Sequence, residues 1–145
     1  MKVLEFGVDE DFTGLYSFIA PDGLKAEDLH FCTSYAYNRI FFAAAKNKVY
    51  KIEIQGAEGK VSTIYEYPIA NVSIAGIKFK NEELMGWEPD NTNYILGASV
   101  NNGEEGSIVE LNLTLAGDVK RDENAIHEYK GFGKIVDFAY SYQDQ

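Results

Sequence analysis

The stretch Asn38-Arg-Ile-Phe-Phe-Ala-Ala-Ala-Lys-Asn-Lys-Val-Tyr-Lys-Ile-Glu-Ile54 reads as a β-hairpin. Ile40 to Ala45 is a nearly continuous apolar run ending in small residues, as suits an inner strand buried on both faces. Lys48 to Ile54 alternates apolar and polar, the pattern of a strand with one more exposed face. Lys46-Asn47 between them makes a two-residue turn, with the asparagine suited to a positive φ. A looser copy runs from Asn93 to Leu113: Asn-Tyr-Ile-Leu-Gly-Ala-Ser, a longer turn through Asn101-Asn102-Gly103-Glu104-Glu105-Gly106, then Gly-Ser-Ile-Val-Glu-Leu-Asn-Leu. Two such hairpins in one chain of 145 residues point to a β-repeat architecture.

Working outward, short apolar or alternating runs bounded by turn residues dominate, and no segment sustains a helical period. Residues 1–7 and 14–20 read as strands, Pro21-Asp22-Gly23 as a turn, and 24–29 as an irregular or helical turn. A first unit of four strands follows at 30–37, 39–45, 48–54 and 61–67. A second comprises 73–80, 93–99, 107–113 and 125–129, and Lys134–Tyr142 opens a third. Ile52/Ile54 and Leu111/Leu113 lie 59 positions apart, as do Ile77/Phe79 and Val136/Phe138; the inner arms Phe41-Phe42-Ala43 and Ile95-Leu96-Gly97 lie 54 apart. The fold expected is all-β, a single domain over 1–145. It holds about two and a half four-stranded propeller-like blades, with repeat units near 29–68 and 72–130 and partial units at both ends. A β-sandwich is the structural rival.

Composition narrows the function. The net charge of −10, from 23 acidic and 13 basic residues, repels phosphate backbones and anionic lipids, so no nucleic-acid partner is expected. No run approaches the roughly 20 apolar residues of a membrane helix, and the N-terminus does not read as a signal peptide, so no membrane insertion is expected. Cys32, the one cysteine, forms no internal disulfide and reads as a small buried hydrophobe.

Two segments resemble a known family. Tyr35-Ala-Tyr-Asn-Arg-Ile-Phe-Phe-Ala-Ala44 with Asn47-Lys-Val-Tyr-Lys-Ile52, and Glu128-Tyr-Lys-Gly-Phe-Gly-Lys-Ile-Val-Asp137, look like the C-terminal propeller region of the PKD-like family of bacterial lipoproteins. The similarity covers the chain from about Leu29 to Asp137. It implies export to the cell surface, outer membrane or periplasm, beside nutrient-uptake systems, and a role in ligand binding or adhesion rather than catalysis. The lipoprotein signal, an N-terminal immunoglobulin-like part and most blades of that family have no counterpart here. Because two and a half blades close no ring, the open blade faces are expected to favour self-association or collapse into a sandwich-like domain.

Candidate chemistry is sparse. Asp9-Glu10-Asp11 with Asp22 lacks calcium-loop spacing, and Lys120 and Arg121 interrupt Asp118, Asp122 and Glu123. His30 and His127 stand alone on strand-like runs, so no metal and no cofactor is expected. No Gly-x-Ser-x-Gly elbow, phosphate loop or assignable carboxylate pair is present, so no catalytic residue is named. Aromatic side chains are the better lead. Trp87, with Asn91, Asn93 and Tyr94, occupies a long connection where a ring could stack on a sugar and amides could bond its hydroxyls. The expected partner is a glycan, peptide or protein. Part of a catalytic propeller (a glycan hydrolase or lyase) and a purely structural repeat are the alternatives.

Overall fold

The computed structural model describes residues 2–6, 12–33, 37, 39–80 and 94–140, with side chains from residue 17 onward. These residues form an all-β molecule of two sheets. The strands are β1 (Lys2–Phe6), β2 (Phe12–Phe18), β3 (His30–Cys32), β4 (Ile40–Ala45), β5 (Lys48–Gln55), β6 (Glu58–Glu66), β7 (Ser73–Phe79), β8 (Tyr94–Asn102), β9 (Glu105–Leu113) and β10 (Ile126–Lys130). Among the described residues, helix is confined to the 3-10 turns Pro21–Gly23 and Ala26–Asp28, and no helix is long and apolar enough to cross a membrane.

The first sheet has the order β1-β2-β6-β5-β4-β3 and the second β10-β9-β8-β7. Within them, β3 to β6 and β7 to β10 are two antiparallel meanders. The β1–β2 hairpin joins the first through a short parallel pairing of Ser17 and Phe18 with Glu58 and Gly59.

Period-two alternation gives each strand two faces, and in the first sheet both are covered. Phe41, Ala43, Ala45, Tyr50 and Ile52 pack with Phe18, Leu24 and Leu29. Phe42, Ala44 and Val49 point the other way, where Tyr37 and the second sheet's Ile77, Phe79, Leu96, Val109 and Leu111 complete the main core. The small residues of Phe42-Ala-Ala-Ala45 allow that close approach on both sides at once.

Pairing fixes the relation between the two hairpins. Phe41 opposes Ile52, and Leu96 opposes Leu111. With the outer arms 59 positions apart, the inner arms are therefore 55 apart, one more than the sequence comparison suggested. The second hairpin does not open into a longer turn either. β8 runs to Asn102 and β9 begins at Glu105, so Gly103 and Glu104 alone separate them, as Lys46 and Asn47 separate β4 and β5. The extra residues lengthen the strands instead, because Asn101 and Gly106 pair across the ladder. In the first turn the positive φ falls on Lys46 (55°), not Asn47; Asn47 instead donates its side-chain amide to the Tyr67 carbonyl at 3.1 Å.

A marked expansion lies between β9 and β10, at 114–125, where the first meander has only Gly56 and Ala57 between β5 and β6. This loop folds back over the first sheet. Tyr37 donates to the Thr114 carbonyl at 2.7 Å, and the Lys51 ammonium reaches the Ala116 carbonyl at 2.9 Å and Asp118 at 2.8 Å.

The expected third-unit strand at 134–142 is not formed over its described part, 134–140. Val136, expected to match buried Ile77, is 85% exposed, and Ile135 is the residue turned inward. The physical reason is a long-range contact. The Asn101 side chain takes both the N–H and the C=O of Ile135, the groups a neighbouring strand would need.

Candidate functional site

Of the residues singled out as a ligand platform, Trp87, Asn91 and Asn93 lie outside the described residues. Tyr94 opens β8, pairs with Leu113, and sits half-buried with its ring 5.5 Å from that of Tyr37. Tyr37 itself is buried core, edge-on to Phe42 at 5.3 Å. Among the acidic groups weighed for calcium, Asp9 to Asp11 also fall outside the description. Asp22 accepts from the Tyr50 hydroxyl at 3.0 Å and from Lys48 at 3.3 Å, and those bonds hold its carboxyl below the usual range. Asp118 pairs with Lys51. His30 and His127 are exposed on their strands, and Cys32 is half-buried at the core margin. Among the described residues no group of three His, Cys, Asp or Glu side chains converges as a metal site.

The most structured surface is the face of the second sheet that points away from the first. Its strand register places Lys78, Gly97, Glu110 and His127 in one row and Gly76, Ser99, Ile108 and Tyr129 in the next. Residues 131–140 lie across it as a strap. The Asn101 side chain, only 8% exposed, donates to the Ile135 carbonyl at 2.7 Å and accepts from its N–H at 2.8 Å. Tyr140 lies over Gly97 and donates its hydroxyl to Glu110 at 2.8 Å, while Lys80 approaches the same carboxyl at 3.3 Å. Burial and that hydrogen bond push the Tyr140 phenol far up, so it remains a donor throughout the physiological range. Farther along, Lys78 pairs with Asp137 at 3.2 Å.

Two glycines make this seating possible. A Cβ at Gly97 would meet the Tyr140 hydroxyl, and one at Gly106 would meet the Gly133 carbonyl oxygen. Glycine inside a strand is costly in isolation and marks a close approach. That was the sequence signal for this site, and attention to Trp87 missed it. Between strap and sheet remains a groove of about 620 Å³, lined among others by Lys80, Glu110, Tyr129, Phe132 and Tyr140.

A second groove of about 430 Å³ opens where the outer strands meet. There Glu128 accepts from the Tyr67 hydroxyl at 2.6 Å and from Ser107 at 2.7 Å. Burial alone would raise the Glu128 carboxyl, but these bonds and nearby Lys130 outweigh it and leave it below its ordinary value. Compared with protein-family models, curated proteins and solved structures, the chain matches none.

Proposed function

We propose that this chain is a non-enzymatic binding or adhesion segment, built as stacked four-stranded units of propeller type, from an exported bacterial surface lipoprotein of the PKD-like kind. The observation that carries the architecture is the way equivalent residues face. Ile52 and Leu111, 59 positions apart, both point toward the N-terminal side of the stack. Lys51 and Glu110, at the same interval, both point toward the C-terminal side. Units repeated by rotation about a common axis face one way like this. Two homologous sheets closed as a sandwich would instead turn equivalent residues inward on one shared core.

The functional half draws on the resemblance of Tyr35–Ala44 and Glu128–Asp137 to that family. The connection between β7 and β8 is the candidate ligand loop. Its flanks sit at the expanded end of the second sheet, because Tyr94 pairs with Leu113 and the 114–125 loop leaves from there. The test is a glycan and peptide array probed with the wild-type chain and with Trp87→Ala. A ligand whose signal drops at least ~10-fold, with unchanged circular dichroism, supports the loop as the site; binding that is indifferent to Trp87 removes it. A purely structural repeat is the second reading, favoured by the fact that the 114–125 loop is spent on latching the two units together.

A further inference from the structure

We propose that the outward face of the second sheet is a docking groove for an extended peptide, filled within each molecule by residues 131–140, and that its intermolecular occupant is the same segment of a second copy of this chain. The proposal rests on the second sheet alone and not on the lipoprotein reading.

Three features make the face a receptor rather than a surface that happens to be covered. The Asn101 side-chain amide meets both the N–H and the C=O of Ile135, the pair of backbone groups that a neighbouring strand would engage in an added strand. Gly106 lets the incoming backbone approach at the Gly133 carbonyl, closer than any side chain would permit. Gly97 opens a slot for an aromatic ring, and Glu110, with only 9% of its side chain exposed, accepts the hydroxyl at the bottom of it. Backbone clamp, close approach and aromatic slot are spaced for one extended segment with a tyrosine five residues after the clamped position.

The strap is held at discrete points: Phe132 donates its N–H to the Gly106 carbonyl, Asn101 holds Ile135, Glu110 holds Tyr140 and Lys78 holds Asp137. Residues 131–140 form no strand, Val136 is 85% exposed and Phe132 57% exposed, and the Asp137 side chain is 74% exposed beside Lys78. A segment with so few buried contacts opens at a small fraction of the free energy of global unfolding. It also leaves the sheet through Gly131 and Gly133, both with positive φ (92° and 69°), directly after β10. A short hinge next to a self-complementary segment is the arrangement that exchanges between copies. The chain's net charge of −10 opposes association, so exchange should strengthen with added salt.

The test mixes two full-length variants. Asn101→Ala keeps the strap but breaks the clamp; Tyr140→Ala keeps the groove but removes the strap's anchor. Each alone should run as a monomer in size-exclusion chromatography with light scattering at 0.15 M and 0.5 M salt. The mixture should yield a heterodimer, increasing with salt, since only the combination holds one intact groove and one intact strap. A mixture that stays monomeric overturns the proposal, as does equal dimerisation of each variant alone. If Asn101→Ala does not fold, a fluorescent peptide of residues 131–140 replaces it. That peptide should bind the Tyr140→Ala chain at least ~10-fold tighter than wild type, whose groove is already filled. It should also bind that chain at least as much tighter than does the same peptide with alanine at 140. Failure of either difference sinks the groove.

Discussion

The two sheets each present a face toward the C-terminal side, and the two faces are made of different material. On the first sheet that face carries Phe42, Ala44, Val49 and Lys51. The matching positions on the second carry Gly97, Ser99, Ile108 and Glu110. The first face receives a whole sheet and is apolar enough to drive the packing; its buried charge, Lys51, is met at the margin by Asp118, the Ala116 carbonyl and Glu53. The second face receives ten residues of irregular chain and recognises them by hydrogen bonds, glycine slots and ion pairs. The same strand framework therefore supports an apolar sheet-to-sheet interface at one level and a hydrogen-bonded, glycine-slotted one at the next. What separates them is whether the central side chain of β4 or β8 is a phenylalanine or absent.

The largest test of that contrast is Phe42→Ala. Phe42 is fully buried, edge-on to Tyr37 at 5.3 Å and to Phe79 at 5.4 Å. Removing it leaves a cavity between two sheets that have little freedom to close on it, at a cost of about 3–5 kcal/mol. Urea denaturation followed by circular dichroism should show the loss, which takes up much of a small domain's stability. A cost below about 1 kcal/mol would mean that the two sheets are not held through this face.

Gly97→Ala probes the other face and should cost less, about 1–3 kcal/mol, because the methyl displaces Tyr140 from its slot and from Glu110. The sign should change when the strap's anchor is already gone. In a Tyr140→Ala background the ring atoms that the added methyl meets first are gone, and alanine in place of glycine within a strand should stabilise by about 0.5–1 kcal/mol. A four-member denaturation cycle measures the coupling directly. Additive effects would mean that Gly97 is there for the ladder and not for the tyrosine.

Much of this was legible in the sequence, and for physical reasons. Period-two alternation and small turns located the strands, since those patterns are local consequences of pleat and burial. Of the pairs set 59 positions apart, Ile52 packs against the N-terminal cluster and Leu111 against the first sheet. The turn of the second hairpin was misjudged because Asn101 to Gly106 is rich in turn formers, while tertiary pairing carries the ladder through them to Gly103. The strap was misread because Ile135, Val136 and Phe138 have strand-like spacing. Which of them turns inward is decided by a single distant side chain, Asn101, and no local pattern reports that. The ligand loop around Trp87 was the sequence's choice of site. The groove over Gly97 and Gly106 was signalled only by glycines in the middle of strands.

The smallest effect concerns the polar contact at the rim of the interface, where Tyr67 of the first unit and Ser107 of the second share the Glu128 carboxyl. Burial disfavours the ionised form there, but the two hydroxyls and Lys130 stabilise it more, so its folded value lies below the 4.5 of a free glutamate. A depressed carboxyl contributes stability that is complete above about pH 4.5 and is lost as the pH falls through the lower folded value. Tyr67→Phe removes the largest of the favourable bonds. At pH 7 it should lower stability by about 0.5 kcal/mol, since the site is largely open to solvent and screened. On acidification both chains lose the many other carboxylates of this acidic molecule, so the absolute curves carry little information about this site. The difference between them is specific. It should hold constant from pH 7 to about pH 5 and shrink below pH 4.5 as Glu128 protonates in the wild type. A difference that persists unchanged to pH 3 would assign Tyr67 a packing role like that of Phe42, and the rim would then belong to the apolar interface rather than to the polar one.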